Sequence, residues 1–282
     1  MRLPHHFVRF ARILTLAVSA FLVGTLFASS TQADEITALV PAYFYPTWWV
    51  GSPWDELNAA AARIPVEAIM NPASGPGAAA NSDYQYAVGA LQTAGGLVIG
   101  YVPTGYGSRS AADVTADVAS YIAWYGVDGI FLDEMGNQLG GLDYVALYAA
   151  IKALGAELHV VGNPGSPFAQ VEALVPAADT LVIFEGPLQN VDPNGASFRN
   201  YPGKGPYAGL PLWFNNYDSS QFANIVYDVG SPFKMFAALV KAVIHNASYV
   251  YLTDDALPNP YDTLPTYWTQ EVEVIEFLNC LP

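Results

Sequence analysis

The sequence predicts an α/β fold of the (β/α)8 TIM-barrel class, a single domain over residues 34–282, on three observations. Short apolar runs rich in Val, Ile, Tyr and Phe alternate eight times with longer stretches of helical period, the pattern of parallel strands joined by helices. Eight such units in about 250 residues are the usual size of a closed barrel, whereas an open doubly wound sheet more often stops at five or six strands. No G-x-G-x-x-G follows the first run and no phosphate-loop lysine motif is present, so a nucleotide-binding open sheet is the weaker alternative.

The first strand, 39–45, is the run Leu39-Val40-Pro41-Ala42-Tyr43-Phe44-Tyr45, and a helix at 54–63 follows the loop that holds Trp48 and Trp49. The second, 66–70, ends at Asn71-Pro72 and leads to a helix at 84–94. The third, 97–102, carries Tyr101 at its end, with Thr104 and Tyr106 just beyond. The helix after it, 111–125, has the plainest signals. Ser110 and Asp113 fit the S-x-x-D/E start, Val114, Val118, Tyr121, Ile122 and Tyr125 form one apolar face, and Gly126 stops it. The fourth strand, 129–132, runs straight into Asp133-Glu134 before a helix at 142–154. The fifth, 158–161, is followed by Asn163-Pro164-Gly165 and a helix at 168–174. The sixth, 181–184, reaches Glu185-Gly186 and then an oversized connection ending at Gln221, rich in Pro, Gly, Asn and Tyr. The sixth helix is poorly defined there, and loops of such length are often functional. The seventh strand, 223–227, precedes a helix at 232–245, and the eighth, 249–252, reaches Thr253-Asp254-Asp255 before a last helix at 267–278.

Hydrophobic residues make up 52% of the chain and charged ones 12%, which excludes a disordered protein. Ten Lys and Arg face 25 Asp and Glu, a net charge of −15. A body this acidic repels phosphate backbones and anionic headgroups, so nucleic acid and membrane surfaces are not expected as partners. The single cysteine, Cys280, excludes a disulfide framework and reads as an inert terminal thiol. Residues 1–33 read as a signal peptide: Arg2, Arg9 and Arg12 precede an apolar run, and small Thr31 and Ala33 occupy the cleavage-site positions. An apolar run of about 16 residues is short of the roughly 20 that span a bilayer. The expectation is a secreted or periplasmic monomer with no membrane anchor after cleavage.

A barrel works at the C-terminal ends of its strands, so the strand tips are where chemistry is expected. Asn71, Asn163 and Asp255 each also fit an ordinary turn or cap. Asp133 and Glu134 differ, because two adjacent carboxylates after Gly129-Ile130-Phe131-Leu132 put charge at the mouth of an apolar barrel. Strand alternation sends them to opposite sides, one facing the axis and the other supporting it or reaching the rim. Glu185, two strands away, is the opposing carboxylate. Glycosidic cleavage needs such a pair: one carboxyl protonated for the leaving oxygen, one ionised to attack or to stabilise positive charge. Burial and mutual repulsion hold one proton in such a cluster near neutral pH. The two histidines beyond the leader, His159 and His245, lack zinc spacing and serve a serine triad poorly. No metal or cofactor is expected; the alternative is an oxygen-ligated cation on Asp133, Glu134, Asp254 and Asp255. Aromatics in predicted loops, among them Trp48, Trp49, Trp54, Trp213, Tyr217 and Tyr261, offer flat faces for sugar rings, and Trp213 in the long loop is the leading stacking candidate.

Leu39-Val40-Pro41-Ala42-Tyr43, Met70-Asn71-Pro72 with Gly75-Pro76-Gly77, and Gly100-Tyr101-Val102 with Tyr106-Gly107 resemble segments of the spherulin-4 (spherulation-specific) family. So do the stretch from Trp124 to Glu134, then Gly162-Asn163-Pro164-Gly165, Phe184-Glu185-Gly186 and Tyr251-Leu252-Thr253-Asp254, in order over residues 34–282. The resemblance implies a (β/α)8 glycoside hydrolase that is endo-acting on α-1,4-linked N-acetylgalactosamine in microbial exopolysaccharide, a biofilm component. The family's catalytic carboxylates fall on Asp133, Glu134 and Glu185. The expected roles are Asp133 as nucleophile or charge stabiliser, Glu185 as acid/base and Glu134 as the neighbour that orients them. Substrate contacts are expected from Tyr43, Tyr45, Asn71, Tyr101, Asn163, Trp213 and Asp254. The seventh unit, where Asn224-Ile225-Val226-Tyr227-Asp228 must serve as the strand, matches least. A non-catalytic wall or matrix protein that binds glycan in the same cleft is the rival reading.

Overall fold

The computed structural model describes residues 35–47, 51–136, 141–164, 171–188 and 213–281. Eight parallel strands close into a barrel in sequence order: β1 (Thr37–Ala42), β2 (Val66–Met70), β3 (Leu97–Pro103), β4 (Gly129–Asp133), β5 (His159–Gly162), β6 (Thr180–Pro187), β7 (Phe222–Tyr227) and β8 (Tyr249–Leu252), with β8 pairing back onto β1. The helices between them are α1 (Pro53–Ala61), α2 (Ser82–Thr93), α3 (Ala111–Tyr125), α4 (Tyr144–Leu154), α5 (Pro232–Ile244) and α6 (Trp268–Asn279). The expected barrel is the observed one.

Local chemistry explains why helices begin and end where they do. Ser52 caps α1 in a reciprocal capping box with Asp55, with Pro53 in the first turn, where a missing N–H costs nothing. Ser110 accepts from the Asp113 N–H at 3.1 Å to start α3, and Gly126, at φ 62°, turns left-handed to end it. Gly100 is required for a different reason. A Cβ there would meet the Tyr121 ring at 2.5 Å, so α3 packs onto β3 at a distance only glycine permits.

Some elements depart from expectation. β1 ends at Ala42 rather than Tyr45, because Ala42 faces Met70, the last residue of β2, and beyond it the Tyr43 N–H bonds the Tyr261 carbonyl in the loop after β8 instead of a strand, at 3.3 Å. A 3-10 segment, Val171–Ala177, stands where an α-helix was expected; Pro176 within it lacks the N–H a continuing helix needs. Between β6 and β7 the described residues hold two short 3-10 turns, Trp213–Asn216 and Ser219–Gln221. The expected signal peptide, Trp48, Trp49 and most of the long loop lie outside the described residues.

The barrel interior is apolar through its middle, where Leu39, Ile69, Ile99, Phe131 and Val161 are buried. It is charged near the N-terminal end. There Glu67 of β2, fully buried, reaches across to His159 of β5 at 2.7 Å, and His159 in turn contacts the Thr180 hydroxyl at 3.1 Å. Burial disfavours the imidazolium, but the bond to Glu67 and its charge outweigh this and raise the His159 pKa.

Candidate active site

The register of the sheet decides which tip residues face one another. Pro103 pairs with Asp133, Tyr101 with Phe131, and Leu132 with Gly162, which brings Tyr101, Asp133 and Asn163 to adjoining positions at the C-terminal mouth. Glu185 joins them through an irregularity. On strict alternation inward Thr180 and Val182 would be followed by Phe184, but the register slips between Val182 and Phe184, pairing Phe184 with Asn224 and Glu185 with Ile225. The extra residue reverses the parity, so Glu185 faces the axis and Phe184 packs outward.

Asn163 links the two carboxylates. Its Nδ2 donates to Asp133 Oδ1 at 2.9 Å and to Glu185 Oε2 at 2.7 Å. An amide nitrogen carries two hydrogens and no charge, so it serves both acceptors, whereas the amide oxygen in that place would face two carboxylates. Backbone bonds to β4 and the loop after it hold Asn163 itself: its N–H donates to the Leu132 carbonyl (2.8 Å) and its carbonyl accepts from Met135 (2.9 Å). The Tyr261 hydroxyl donates to the other oxygen of Glu185 at 2.7 Å, and the Tyr101 hydroxyl bonds Asp133. Tyr43 completes the floor, its ring edge-on to Tyr101 and Tyr261 at 5.6 and 5.7 Å. Burial, then the nearby Asp133 charge, raises its phenol pKa.

Asp133 is the perturbed group. Burial first, and the charge of Glu185 second, raise its pKa to about 6, against the pull of the Tyr101 bond and the Glu134 N–H. Its neighbour does not continue the strand. Glu134 has φ 53°, so the alternation expected to send the two acids to opposite sides stops at Asp133. The Glu134 carbonyl accepts from the Thr104 hydroxyl (2.6 Å) and the Tyr106 N–H (2.7 Å), which ties the loop after β4 to the one after β3.

Of the expected substrate contacts, Tyr43, Tyr101 and Asn163 gather around the carboxylates. Tyr45 stands at the rim, its hydroxyl donating to Asp83 at 2.5 Å. Asn71 accepts from the Gly75 N–H at 3.2 Å, a turn bond. Asp254 accepts from the Thr266 N–H at 3.0 Å and from its hydroxyl, closing the loop after β8. Trp213 requires correction. It is buried against Phe214, Tyr217 and Phe222, and Phe222 opens β7, so the indole packs at the N-terminal end of the barrel, opposite the carboxylates. Its place in a Gly- and Pro-rich loop suggested exposure, but an aromatic cluster at the foot of β7 gives it somewhere to bury. In the sequence Tyr261 is one of several loop aromatics. Its bond to a carboxylate 76 residues away depends on how the loop after β8 folds back, and no local signal announces it. Among the described residues no three His, Cys, Asp or Glu gather as a metal site.

Residues 37–275 match the family model described as spherulation-specific family 4. The chain is 32% identical over 257 residues to spherulin-4 of Physarum polycephalum, which covers 89% of this chain and 73% of that one. Among solved structures, Sph3 of Aspergillus clavatus in complex with GalNAc gives a TM-score of 0.70 at 23% identity, over 88% of this chain and all (100%) of that one. A maltogenic α-amylase of Thermotoga neapolitana gives 0.51 at 9% identity, over 87% of this chain and 76% of the amylase, a likeness of fold alone.

Proposed function

We propose that this chain, which belongs to the spherulation-specific family 4, is a glycoside hydrolase that cleaves α-1,4-linked, N-acetylgalactosamine-containing exopolysaccharide internally. The observation that carries the reading is the Asn163 bridge between two carboxylates at the barrel mouth, one of them with a raised pKa. Supporting it are the family itself and the sugar bound by the similarly folded Sph3. The expected leader would export the enzyme to where such polymers lie.

The raised pKa of Asp133 favours the reverse of the expected roles. Asp133 is the carboxyl that keeps a proton near pH 6, so it is the acid that protonates the leaving oxygen. Glu185, oriented by Asn163 and Tyr261, is then the carboxylate that attacks the anomeric carbon, and the deprotonated Asp133 activates the water that releases the sugar. With one nitrogen 2.9 and 2.7 Å from an oxygen of each group, those two oxygens cannot lie far apart, which favours the shorter carboxyl spacing of retaining enzymes, roughly 5 to 5.5 Å, over the longer spacing of inverting ones.

The test is to incubate the protein, with Asp133→Asn and Glu185→Gln beside it, with α-1,4-galactosamine polymers of graded acetylation, and to count new reducing ends with and without chelator. Release by the unaltered protein alone, insensitive to chelator and with kcat/KM falling above about pH 6 as Asp133 loses its proton, is the expected result. Binding without release from any polymer would make it a glycan-binding protein instead.

A further inference from the structure

Tyr106 is 72% exposed at the C-terminal face of the barrel, in the turn Gly105–Gly107 after β3. Three consecutive residues are left-handed there: Gly105 at φ 59°, Tyr106 at 55° and Gly107 at 82°. Glycine adopts that conformation freely; a tyrosine pays in backbone strain.

The turn is also locked. The Tyr106 N–H donates to the Glu134 carbonyl at 2.7 Å, and the Leu142 N–H donates to the Gly107 carbonyl at 3.2 Å. A Cβ on Gly136 would stand 2.6 Å from the Tyr106 carbonyl oxygen, so the two loops touch backbone to backbone. The ring is therefore carried on a rigid frame joined to the residue directly after Asp133.

No described residue uses that ring. Among the described residues neither it nor its hydroxyl meets a partner, while exposed Tyr45, for comparison, is tied to Asp83 and Asn81 and packs edge-on to Tyr84. Glycine would suit the turn better and no packing among the described residues would be lost, so a ring left 72% exposed there points to a role outside the chain. A flat apolar face with a polar tip, carried on a loop bonded to the residue after Asp133 at the same end of the barrel, matches the apolar face and hydroxyl rim of a pyranose. We propose that Tyr106 is a sugar-stacking platform holding a polysaccharide unit that flanks the bond facing Asp133 and Glu185; this deepens the hydrolase reading and rests on it.

The experiment measures, by titration calorimetry in an Asp133→Asn background, binding of an α-1,4-linked galactosamine disaccharide and hexasaccharide, alongside thermal melting. Tyr106→Gly is expected to raise the melting temperature, by relieving strain, while weakening hexasaccharide binding about 3- to 10-fold and leaving the disaccharide unchanged. Tyr106→Phe should bind within about twofold of the parent, because stacking needs the ring and not the hydroxyl. Equal hexasaccharide binding by the Gly variant, or a loss of binding that follows a loss of stability, would overturn the platform. Binding that depends on Tyr106, with no reducing ends released by the protein carrying Asp133, would uphold it and overturn the hydrolase. No binding of either oligosaccharide by the parent would overturn both.

Discussion

At Asp133 a carboxylate is held where water is scarce and a second carboxylate is near, and its raised pKa is a statement about stability. The unfolded chain releases this proton near the ordinary value of 3.8 and the folded chain near 6, so between those values only the folded form keeps it. Stability from this residue therefore falls as pH rises from about 4 to 6 and stays lower above that. Asp133→Asn is expected to stabilise the fold by roughly 3 kcal/mol at pH 7, at about 1.4 kcal/mol per unit of displacement, and by nothing below pH 4. Urea unfolding of both proteins at pH 7 and below pH 4 checks it; an equal gain at both would show that the residue does not titrate as described. The acids Asp133 and Glu185 were legible in the sequence because each directly follows an apolar run. Asn163 was legible only as a strand-tip residue that could equally serve a turn, since its role depends on a carboxylate from each neighbouring strand.

At the scale of elements, what is capped locally was readable and what depends on a partner was not. The bounds of α3 agree with expectation because Ser110 and Gly126 act within a turn of the helix they end. The end of β1 depends on where β2 stops, and the inward turn of Glu185 on a slip in β6 pairing. α6 shows the same limit in its core. The sequence gives only its bounds, yet Glu271 is fully buried, and among the described residues its carboxylate oxygens find no close hydrogen-bond partner, the Leu252 backbone offering only a weak one. Burial drives its pKa well above the ordinary carboxylate range, so the neutral acid is the form the fold tolerates and stability from this site falls as pH rises. Glu271→Met, which keeps the length and removes the poorly partnered oxygens, is expected to stabilise the protein by about 1 to 3 kcal/mol at neutral pH. Calorimetric melting decides this, and a destabilised variant would mean that the carboxyl is well bonded in the fold.

For the molecule as a whole, the barrel carries two polar layers separated by an apolar one: the carboxylates at the mouth and the Glu67–His159 pair near the foot. The pair joins β2 to β5 across the interior. Because the folded His159 pKa lies above its unfolded value near 6.5, its contribution is complete below that pH and is lost as pH rises through the folded value. His159→Leu alone, leaving Glu67 buried without its partner, is expected to cost about 3 to 5 kcal/mol, and Glu67→Met with His159→Leu far less. A denaturant series across pH 5 to 9 on the parent and both variants tests this, and similar losses in the single and double variants would show that the pair does not act as one unit. The sequence by itself determined the barrel, since eight alternations of β and helical period leave few other ways to bury so much apolar surface in one domain. It also determined which acids stand at the strand tips, because a charge after an apolar run must lie where the strand leaves the core. Only the tertiary structure decided which of those tips meet, that Tyr261 reaches Glu185 while Trp213 lies at the other end, and which way Glu185 points. Closure brings residues 76 positions apart within a hydrogen bond, and a single slipped residue reverses a face; neither the pairing nor the slip leaves a mark in local composition.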